Sequence, residues 1–129
     1  MKARVRELTS RRMVNDYEKW KVNLKRYVVG WVNYHKLADM GAYLQSIDEW
    51  MRRRIRMVFW KKWKRVRTRW RNLLKLGITN RNAGILANSR KGYWRIASSP
   101  ILQTALSNQR LEKAEFQFFY SCYRKSVAA

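Results

Sequence analysis

The sequence is poor in metal-binding and disulfide-forming residues, with Cys122 and His35 each the sole residue of its type. A lone cysteine cannot form an intramolecular disulfide, and this pair cannot supply the four ligands of a structural zinc site. The chain also lacks a run of about 18 apolar residues, the length needed to span a membrane, and its N-terminus lacks the apolar core of a secretory signal. These absences predict a soluble protein of a reducing compartment, namely the bacterial cytoplasm, with an organelle left open as the alternative, and with no cofactor and no membrane partner.

Acidic residues are missing from the middle of the chain. Residues 50–111 contain no Asp or Glu but seventeen Lys and Arg, and the whole chain has a formal net charge of +22. Self-repulsion on this scale destabilises a compact state, so a polyanionic partner is expected. Seven tryptophans and an apolar fraction of 47% are atypical of disordered tails. The composition therefore favours a folded nucleic-acid-binding surface, and a merely solvated basic helix face is the alternative.

Proline and glycine are scarce, with one Pro and five Gly, which favours helices over turns. Apolar residues recur at steps of three and four across 14–38 and again across 42–76, predicting long helices there. Asn15 or Asp16 can cap the first helix. Gly30 is expected to mark close helix packing, and Gly41 and Gly77 to end helical regions. The first stripe is Tyr17, Trp20, Leu24, Tyr27, Val28, Trp31, Tyr34 and Ala38. The second is Leu44, Ile47, Met51, Ile55, Val58, Phe59, Val66, Trp70, Leu73 and Leu74.

Shorter helices are expected beyond residue 77. One begins near Asn82 and runs to about Ser89, one begins at Ser99–Pro100, and a last one runs from Asn108 toward Tyr123. The segment GYWRIA is strand-like but too short to predict a strand. The expected fold is all-α, a compact helical bundle forming one domain over 1–129. It would contain a lead-in segment (1–13), long helices (14–76, as one bent helix or two after residue 42) and shorter helices (77–129).

Catalytic chemistry is poorly supported. Asp48 and Glu49 are the closest acidic pair, but adjacent side chains diverge on a helix. With Asp39 nearby, these carboxylates are better explained as helix caps and ion-pair partners than as metal ligands. His35 is expected to pack or hydrogen-bond, and Cys122 to be inert core. No catalytic residue and no metal site is therefore predicted.

Two basic, aromatic stretches are candidate nucleic-acid contacts. Arg52, Arg53 and Arg56 fall opposite the apolar stripe, with Trp60 on the same arc and Trp63 near its edge. In the second stretch, Arg90, Lys91 and Arg95 flank Tyr93 and Trp94, and Gly92 permits close backbone approach. Lys and Arg that neutralise phosphates release counterions and give affinity independent of sequence. Trp50 and Trp70 are expected in the core, whereas Trp60 and Trp63 fit inter-helix packing and base stacking equally well.

The same residues resemble a known family. GWVNYHKLADM (30–40), LQSIDEWMRRRIRMVFWKKWKRVRTR (44–69), LLKLGI (73–78) and ANSRKGYWRIASSPILQTALSN (87–108) together resemble the maturase-specific domain, also called domain X or the thumb, of group II intron-encoded reverse transcriptases. The resemblance implies a helical thumb that binds intron RNA, assists its splicing, and grips a template–primer duplex in a complete reverse transcriptase. The predicted RNA-binding residues are Arg52, Arg53, Arg56, Trp60, Lys61, Lys62, Trp63, Lys64, Arg65, Arg67, Arg69, Arg71, Lys75, Arg90, Lys91, Tyr93 and Arg95.

The departures from the family bear on function. Nothing in the sequence resembles polymerase fingers or palm, and no Tyr-x-Asp-Asp motif occurs, so the chain is not expected to be an enzyme by itself. His35 stands where an aromatic residue is usual in the family. The preferred interpretation is an RNA-binding maturase-type thumb. The alternative is a protein-interaction subunit that docks on reverse transcriptase fingers and palm, in cis or in trans.

Overall fold

The computed structural model describes residues 2–10, 16–35, 40–114 and 116–128, with side chains as far as residue 125. Within these ranges every regular element is an α-helix, which confirms the predicted all-α class. The helices are α1 (Lys2–Leu8), α2 (Tyr17–His35), α3 (Gly41–Lys62), α4 (Val66–Lys75), α5 (Asn80–Ala87), α6 (Tyr93–Ala97), α7 (Pro100–Ala105), α8 (Asn108–Lys113) and α9 (Phe119–Ala128). The chain divides into two compact units, unit 1 (Met1–Arg52 with Glu112–Ala129) and unit 2 (Arg53–Leu111).

Helix α2 follows the predicted stripe in part, because Trp20, Leu24 and Val28 are buried, whereas Tyr34 is 85% exposed and its placement on the apolar face is wrong. The carboxylate of Asp16 accepts hydrogen bonds from the backbone N–H groups of Glu18 and Lys19, at 3.1 and 3.2 Å, and so caps the helix start. Asn15 and Ala38, named in the same prediction, lie outside the described residues. The buried side chains recur every fourth position, at Trp20, Leu24, Val28 and Val32. This single apolar face fastens α2 to the core of unit 1.

Aromatic residues near the C-terminus complete the core of unit 1. The ring of Trp20 meets Phe116 edge-on at 5.0 Å between centroids, and Trp31 meets Phe119 in the same way at 5.6 Å. Cys122 of α9 is also buried, and this burial raises the pKa of its thiol. The buried position confirms the prediction that Cys122 belongs to the core.

Asp48 anchors the start of α9. Its side chain is buried, and its two carboxylate oxygens accept hydrogen bonds from the backbone N–H groups of Phe119 (2.8 Å) and Tyr120 (2.9 Å). The positive end of the helix dipole also stabilises a carboxylate at this position. A new helix therefore starts at Phe119, and the prediction of one continuous helix from Asn108 to Tyr123 is wrong. The expectation that Asp48 serves as a helix cap is confirmed.

The titration of Asp48 gives a testable pH dependence. Burial raises the pKa of this carboxyl above 3.8, and the two backbone hydrogen bonds and Arg52 offset only part of that effect. A group with a raised folded-state pKa holds its proton more tightly in the folded protein, so stability is lost as pH rises through that pKa. The free energy of unfolding of the wild type should therefore fall relative to that of Asp48→Asn, which does not titrate, as the pH rises from below 3.8. Urea denaturation of both proteins across this pH range measures the two stabilities. A wild type that gains stability relative to Asp48→Asn as pH rises would contradict a raised pKa for Asp48.

Unit 2 has its own hydrophobic core, built around Trp60 of α3. The buried side chains that pack together come from α3, α4, α5, α6 and α7 and from Leu106, the residue that follows α7. They are Trp60, Leu73, Ala83, Leu86, Ile96, Leu102, Ala105 and Leu106. Phe59, Trp63, Leu76, Ile78 and Ile101 are partly buried against this cluster. Trp63 therefore packs against the core in unit 2.

Residues 42–76 form two helices, because α3 ends at Lys62 and α4 begins at Val66. The guanidinium of Arg69 donates two hydrogen bonds, at 3.3 and 3.1 Å, to the carbonyl of Trp60 in the last turn of α3. A cation there satisfies an end carbonyl and favours the negative end of the helix dipole. Helix α4 ends at Lys75, and the predicted terminating glycine, Gly77, follows two residues later with a φ of 89°, which only glycine adopts readily.

Several local predictions have clear outcomes. Ser99 caps α7 through a 3.4 Å bond from the N–H of Leu102, with Pro100 in the first turn, as expected. GYWRIA contains the short helix α6. The prediction for Gly30 is wrong, since no described atom beyond its chain neighbours and its own helix backbone lies within 4 Å of where its Cβ would stand. Gly41 begins α3 instead of ending a helical region.

Candidate nucleic-acid interface

Unit 2 carries a concentrated positive charge. It contains sixteen of the thirty Lys and Arg residues and none of the eight Asp and Glu residues. No carboxylate within the unit can therefore neutralise its cations. Most of these side chains are exposed, namely Lys61, Lys62, Lys64, Arg65, Arg67, Arg71, Lys75, Arg81, Arg90, Lys91, Arg95 and Arg110. A surface of this kind attracts polyanions through its field and through counterion release.

Helix α4 presents part of this charge as an ordered row. Arg67, Arg71 and Lys75 are exposed and four residues apart, so they follow one side of the helix. The buried Leu73 and the partly buried Arg69 lie on the side that faces the core. Because the helix is held by that core side, the basic row is kept at fixed spacing toward solvent.

Arg53 connects the two basic, aromatic stretches of the sequence through contacts with Trp94. Its Nε and Nη2 donate hydrogen bonds to the carbonyl of Trp94, at 3.0 and 2.8 Å. Its guanidinium also lies 3.9 Å from the centroid of the Trp94 ring, a close cation–π contact. These contacts hold the start of α6 against the second half of α3. Residues 90–95 and the basic end of α3 thus belong to one surface of unit 2.

Tyr93 lies at the meeting point of these elements. Its side chain is 47% exposed. The Nζ of Lys61 lies 5.3 Å from the ring centroid, and the Cζ of Arg69 lies 5.8 Å from it. An exposed ring with cations beside it combines a stacking surface with partners for phosphate. Tyr93 is the exposed aromatic of the predicted set that the structure brings together with two predicted cations.

Not every residue of the predicted set is exposed. Arg56 and Trp60 are buried, the latter only 1% exposed, so the prediction that they lie on the outer arc of the helix is wrong. The cause is that α3 is covered on more than one side within unit 2, and the consecutive residues 55–58 are all buried. Arg52 belongs to unit 1, where its guanidinium lies 4.8 Å from the ring centroid of Phe118.

Arg56 has a structural role that can be measured. Its Nε donates to the carbonyl of Leu106 at 2.8 Å, and its Nη2 donates to Oδ1 of Asn108 at 2.9 Å. Arg56→Ala leaves both acceptors without this donor and should lower the free energy of unfolding by about 2–3 kcal/mol. Arg56→Lys should restore little of this, because an ammonium does not reproduce the planar fork.

The control for Arg56 is the exposed Arg90, where alanine should change stability by no more than about 0.5 kcal/mol. Urea denaturation followed by circular dichroism measures all three variants. An Arg56→Ala protein as stable as Arg90→Ala but weaker in RNA binding would instead make Arg56 a ligand contact.

Val66 and Trp70 were expected in the core, but both are exposed, with Trp70 at 39%. The core of unit 2 takes Leu73 from α4, and the side of the helix at 66, 70 and 74 turns outward. The indole N–H of Trp70 donates to Oδ1 of Asn80 at 3.1 Å. Helix α4 therefore offers an apolar row beside its basic row.

Arg81 and Arg110 are exposed cations of unit 2 that are absent from the predicted set of RNA-binding residues. Both stand apart from the dense basic runs, so no local pattern marked them. The signal that could have found them is the acid-free span 50–111, which includes both. They extend the positive surface beyond α3, α4 and α6.

His35 fits the structural role predicted for it. Its ring stacks on Trp31 with centroids 4.2 Å apart, and its Nδ1 lies 2.9 Å from the Trp31 carbonyl. Within the described ranges, no three His, Cys, Asp or Glu side chains come together in a way that could hold a metal ion. None of the helices in those ranges combines the length and apolar character that a bilayer-spanning segment needs.

These features define an all-α protein with a strongly basic, aromatic-bearing unit suited to a polyanion. The family model "Group II intron, maturase-specific domain" matches residues 1–77, more than half of the chain. The chain therefore belongs to the group II intron maturase-specific domain family, as the sequence resemblance predicted. The match extends from α1 through α4 to Gly77, and α6 with Tyr93 lies beyond it. No curated protein matches the chain.

Proposed function

We propose that the chain binds group II intron RNA through the exposed cations of unit 2 and thereby assists splicing. The observation that carries this proposal is the concentration of sixteen basic residues in a folded unit that has no acidic residue. Membership of the maturase-specific family supports intron RNA as the polyanion. In this mechanism, the protein stabilises the folded RNA, and the RNA itself performs the covalent steps.

Affinity comes mainly from phosphate neutralisation. Each phosphate contact by Lys or Arg releases condensed counterions, so binding weakens as salt rises. Arginine adds forked hydrogen bonds to phosphate oxygens. Arg53 and Arg69 act less directly, because their guanidinium groups hold the carbonyls of Trp94 and Trp60. The residues proposed to contact RNA are Lys61, Lys62, Lys64, Arg65, Arg67, Arg71, Lys75, Arg90, Lys91, Tyr93 and Arg95.

In a polypeptide that also carries polymerase fingers and palm, the same basic surface would grip the template–primer duplex. Both ligands present phosphate backbones, so one row of cations serves either. We propose further that residues 1–129 act together as one maturase-type domain without catalytic activity of its own. A reducing, cytoplasmic setting suits Cys122, which is buried as a thiol.

The proposal is tested by measuring affinity for a transcribed group II intron RNA and for an unrelated structured RNA of equal length, across salt. Binding to both should fall steeply with salt, and the intron RNA should keep the higher affinity. The chain should also raise the spliced fraction of the intron at low magnesium. Equal affinity for the two RNAs, with no effect on splicing, would contradict the proposal.

A second candidate function is docking on a separate fingers–palm protein. The observation in its favour is the exposed apolar row on α4, formed by Val66, Trp70 and Leu74. Exposed apolar side chains grouped on one side of a helix are typical of protein contacts. Mixing the chain with fingers–palm protein in the absence of RNA should then give a larger species by size-exclusion chromatography. Loss of that species in Trp70→Ser would support docking, and its absence in wild type would exclude it.

A further inference from the structure

We propose that Tyr93, with Lys61 and Arg69, forms a site for one unpaired nucleotide, whose base stacks on the tyrosine ring. This inference deepens the proposed function and rests on it, because it names the part of the RNA that this site takes. The ring is 47% exposed, and both cations approach it within 6 Å, at 5.3 and 5.8 Å from its centroid.

The site is fixed before any ligand arrives. Trp94, the next residue after Tyr93, is held by two hydrogen bonds from Arg53 to its carbonyl and by the guanidinium over its ring. Arg69 is held in turn by two hydrogen bonds to the carbonyl of Trp60. The backbone next to Tyr93 and one neighbouring cation therefore start from positions set by contacts within unit 2. Little ordering is needed on binding, which favours affinity.

The chemistry selects an unpaired base. In an RNA duplex the faces of internal bases are covered by their neighbours, and the deep, narrow major groove does not admit side chains. An unpaired base has a free face that can stack on an aromatic ring. Lys61 is exposed and its Nζ lies over the ring, 5.3 Å from the centroid, within reach of the phosphate of the same nucleotide. The cations of the basic row on α4 suit the phosphate backbone of paired or unpaired RNA alike.

The experiment compares a short single-stranded oligouridylate with a blunt RNA duplex of the same length, by fluorescence anisotropy at low salt. Tyr93→Leu keeps an apolar side chain but removes the aromatic face, so it should weaken single-strand binding about five- to a hundredfold. Its affinity for the duplex should stay within roughly twofold, and Tyr93→Phe should stay within roughly twofold on both probes. The matched control is Tyr43→Leu, a tyrosine of unit 1 that is 52% exposed and should leave both affinities unchanged.

Crosslinking of the wild-type chain provides a second measurement that does not depend on a variant. An oligouridylate carrying 4-thiouridine should form an adduct at Tyr93 on irradiation, located by peptide mapping. The nucleotide site would be overturned if Tyr93→Leu lost equal affinity for both probes or lost none for the single strand. Adducts formed only at other residues would overturn it as well. If wild type binds neither probe at low salt, the proposed RNA-binding function fails as well. If wild type binds both probes and Tyr93→Leu binds them with unchanged affinity, only the nucleotide site is overturned and the RNA-binding function stands.

Discussion

Changing Arg67, Arg71 and Lys75 together to glutamine should weaken binding to group II intron RNA by about a hundredfold or more at about 0.1 M salt. These three side chains are exposed and form the basic row of α4. Each lost phosphate contact lowers the slope of log affinity against log salt by about 0.7 to 0.9. Three lost contacts therefore reduce the slope by roughly two to three. From about 1 M salt, where the electrostatic contribution vanishes, down to about 0.1 M, this slope change lowers the affinity by about a hundredfold or more.

The control is a second triple change of the same charge on unit 1. Lys19, Lys25 and Arg26 are exposed on α2, and their replacement by glutamine removes three positive charges from the chain as well. This control should lower affinity far less, and both triple variants should keep the wild-type unfolding temperature. If the two variants lose affinity equally, net charge alone governs binding and α4 has no special part in it.

Replacing Trp60 with alanine should cost about 3–5 kcal/mol of folding free energy. The side chain is 1% exposed and lies in the core cluster of unit 2, with the guanidinium of Arg69 4.5 Å from its ring centroid. Domains are commonly stable by only about 5–15 kcal/mol, so this change removes a large share of the total. Urea denaturation followed by circular dichroism would measure the loss.

Trp70 is the matched control for Trp60. It is 39% exposed, so Trp70→Ala should cost about 1 kcal/mol or less. The comparison separates a core tryptophan from an exposed one on the neighbouring helix. Equal stability of the two variants, with RNA affinity lost only in Trp60→Ala, would mean that Trp60 contacts RNA and not the core.

Periodicity and capping residues were enough to predict the simplest parts of the fold. Helix α2 buries one face, so a single stripe through Trp20, Leu24 and Val28 predicts it well. Ser99 with Pro100, and Gly77 with its φ of 89°, mark helix ends through backbone chemistry that is local in sequence. Such features follow from a few neighbouring residues, and no distant contact is needed to infer them.

Periodicity predicts burial wrongly where distant contacts decide it. Helix α3 is covered on more than one side, so Arg56 and Trp60 are buried although a one-face pattern places them outside. Arg56 is accommodated there because acceptors some fifty residues along the chain, at Leu106 and Asn108, meet its guanidinium. The start of α9 likewise depends on Asp48, which is far from it in sequence.

The candidate site was predictable in composition but not in geometry. The acid-free span marks the basic residues of unit 2, and resemblance to the family predicts intron RNA as their partner. The contact of Arg53 with Trp94, and the approach of Lys61 and Arg69 to Tyr93, depend on how α3, α4 and α6 pack. No periodicity in the sequence encodes those pairings.

Lysine footprinting in the presence and absence of group II intron RNA tests most directly whether unit 2 binds RNA. Amine acetylation, read by mass spectrometry, reports the accessibility of exposed lysines in both units. We predict that the RNA protects Lys61, Lys64, Lys75 and Lys91 of unit 2 and leaves Lys19, Lys25 and Lys125 of unit 1 reactive. Protection confined to the unit 1 lysines, or equal in the two units, would contradict the assignment of RNA binding to unit 2.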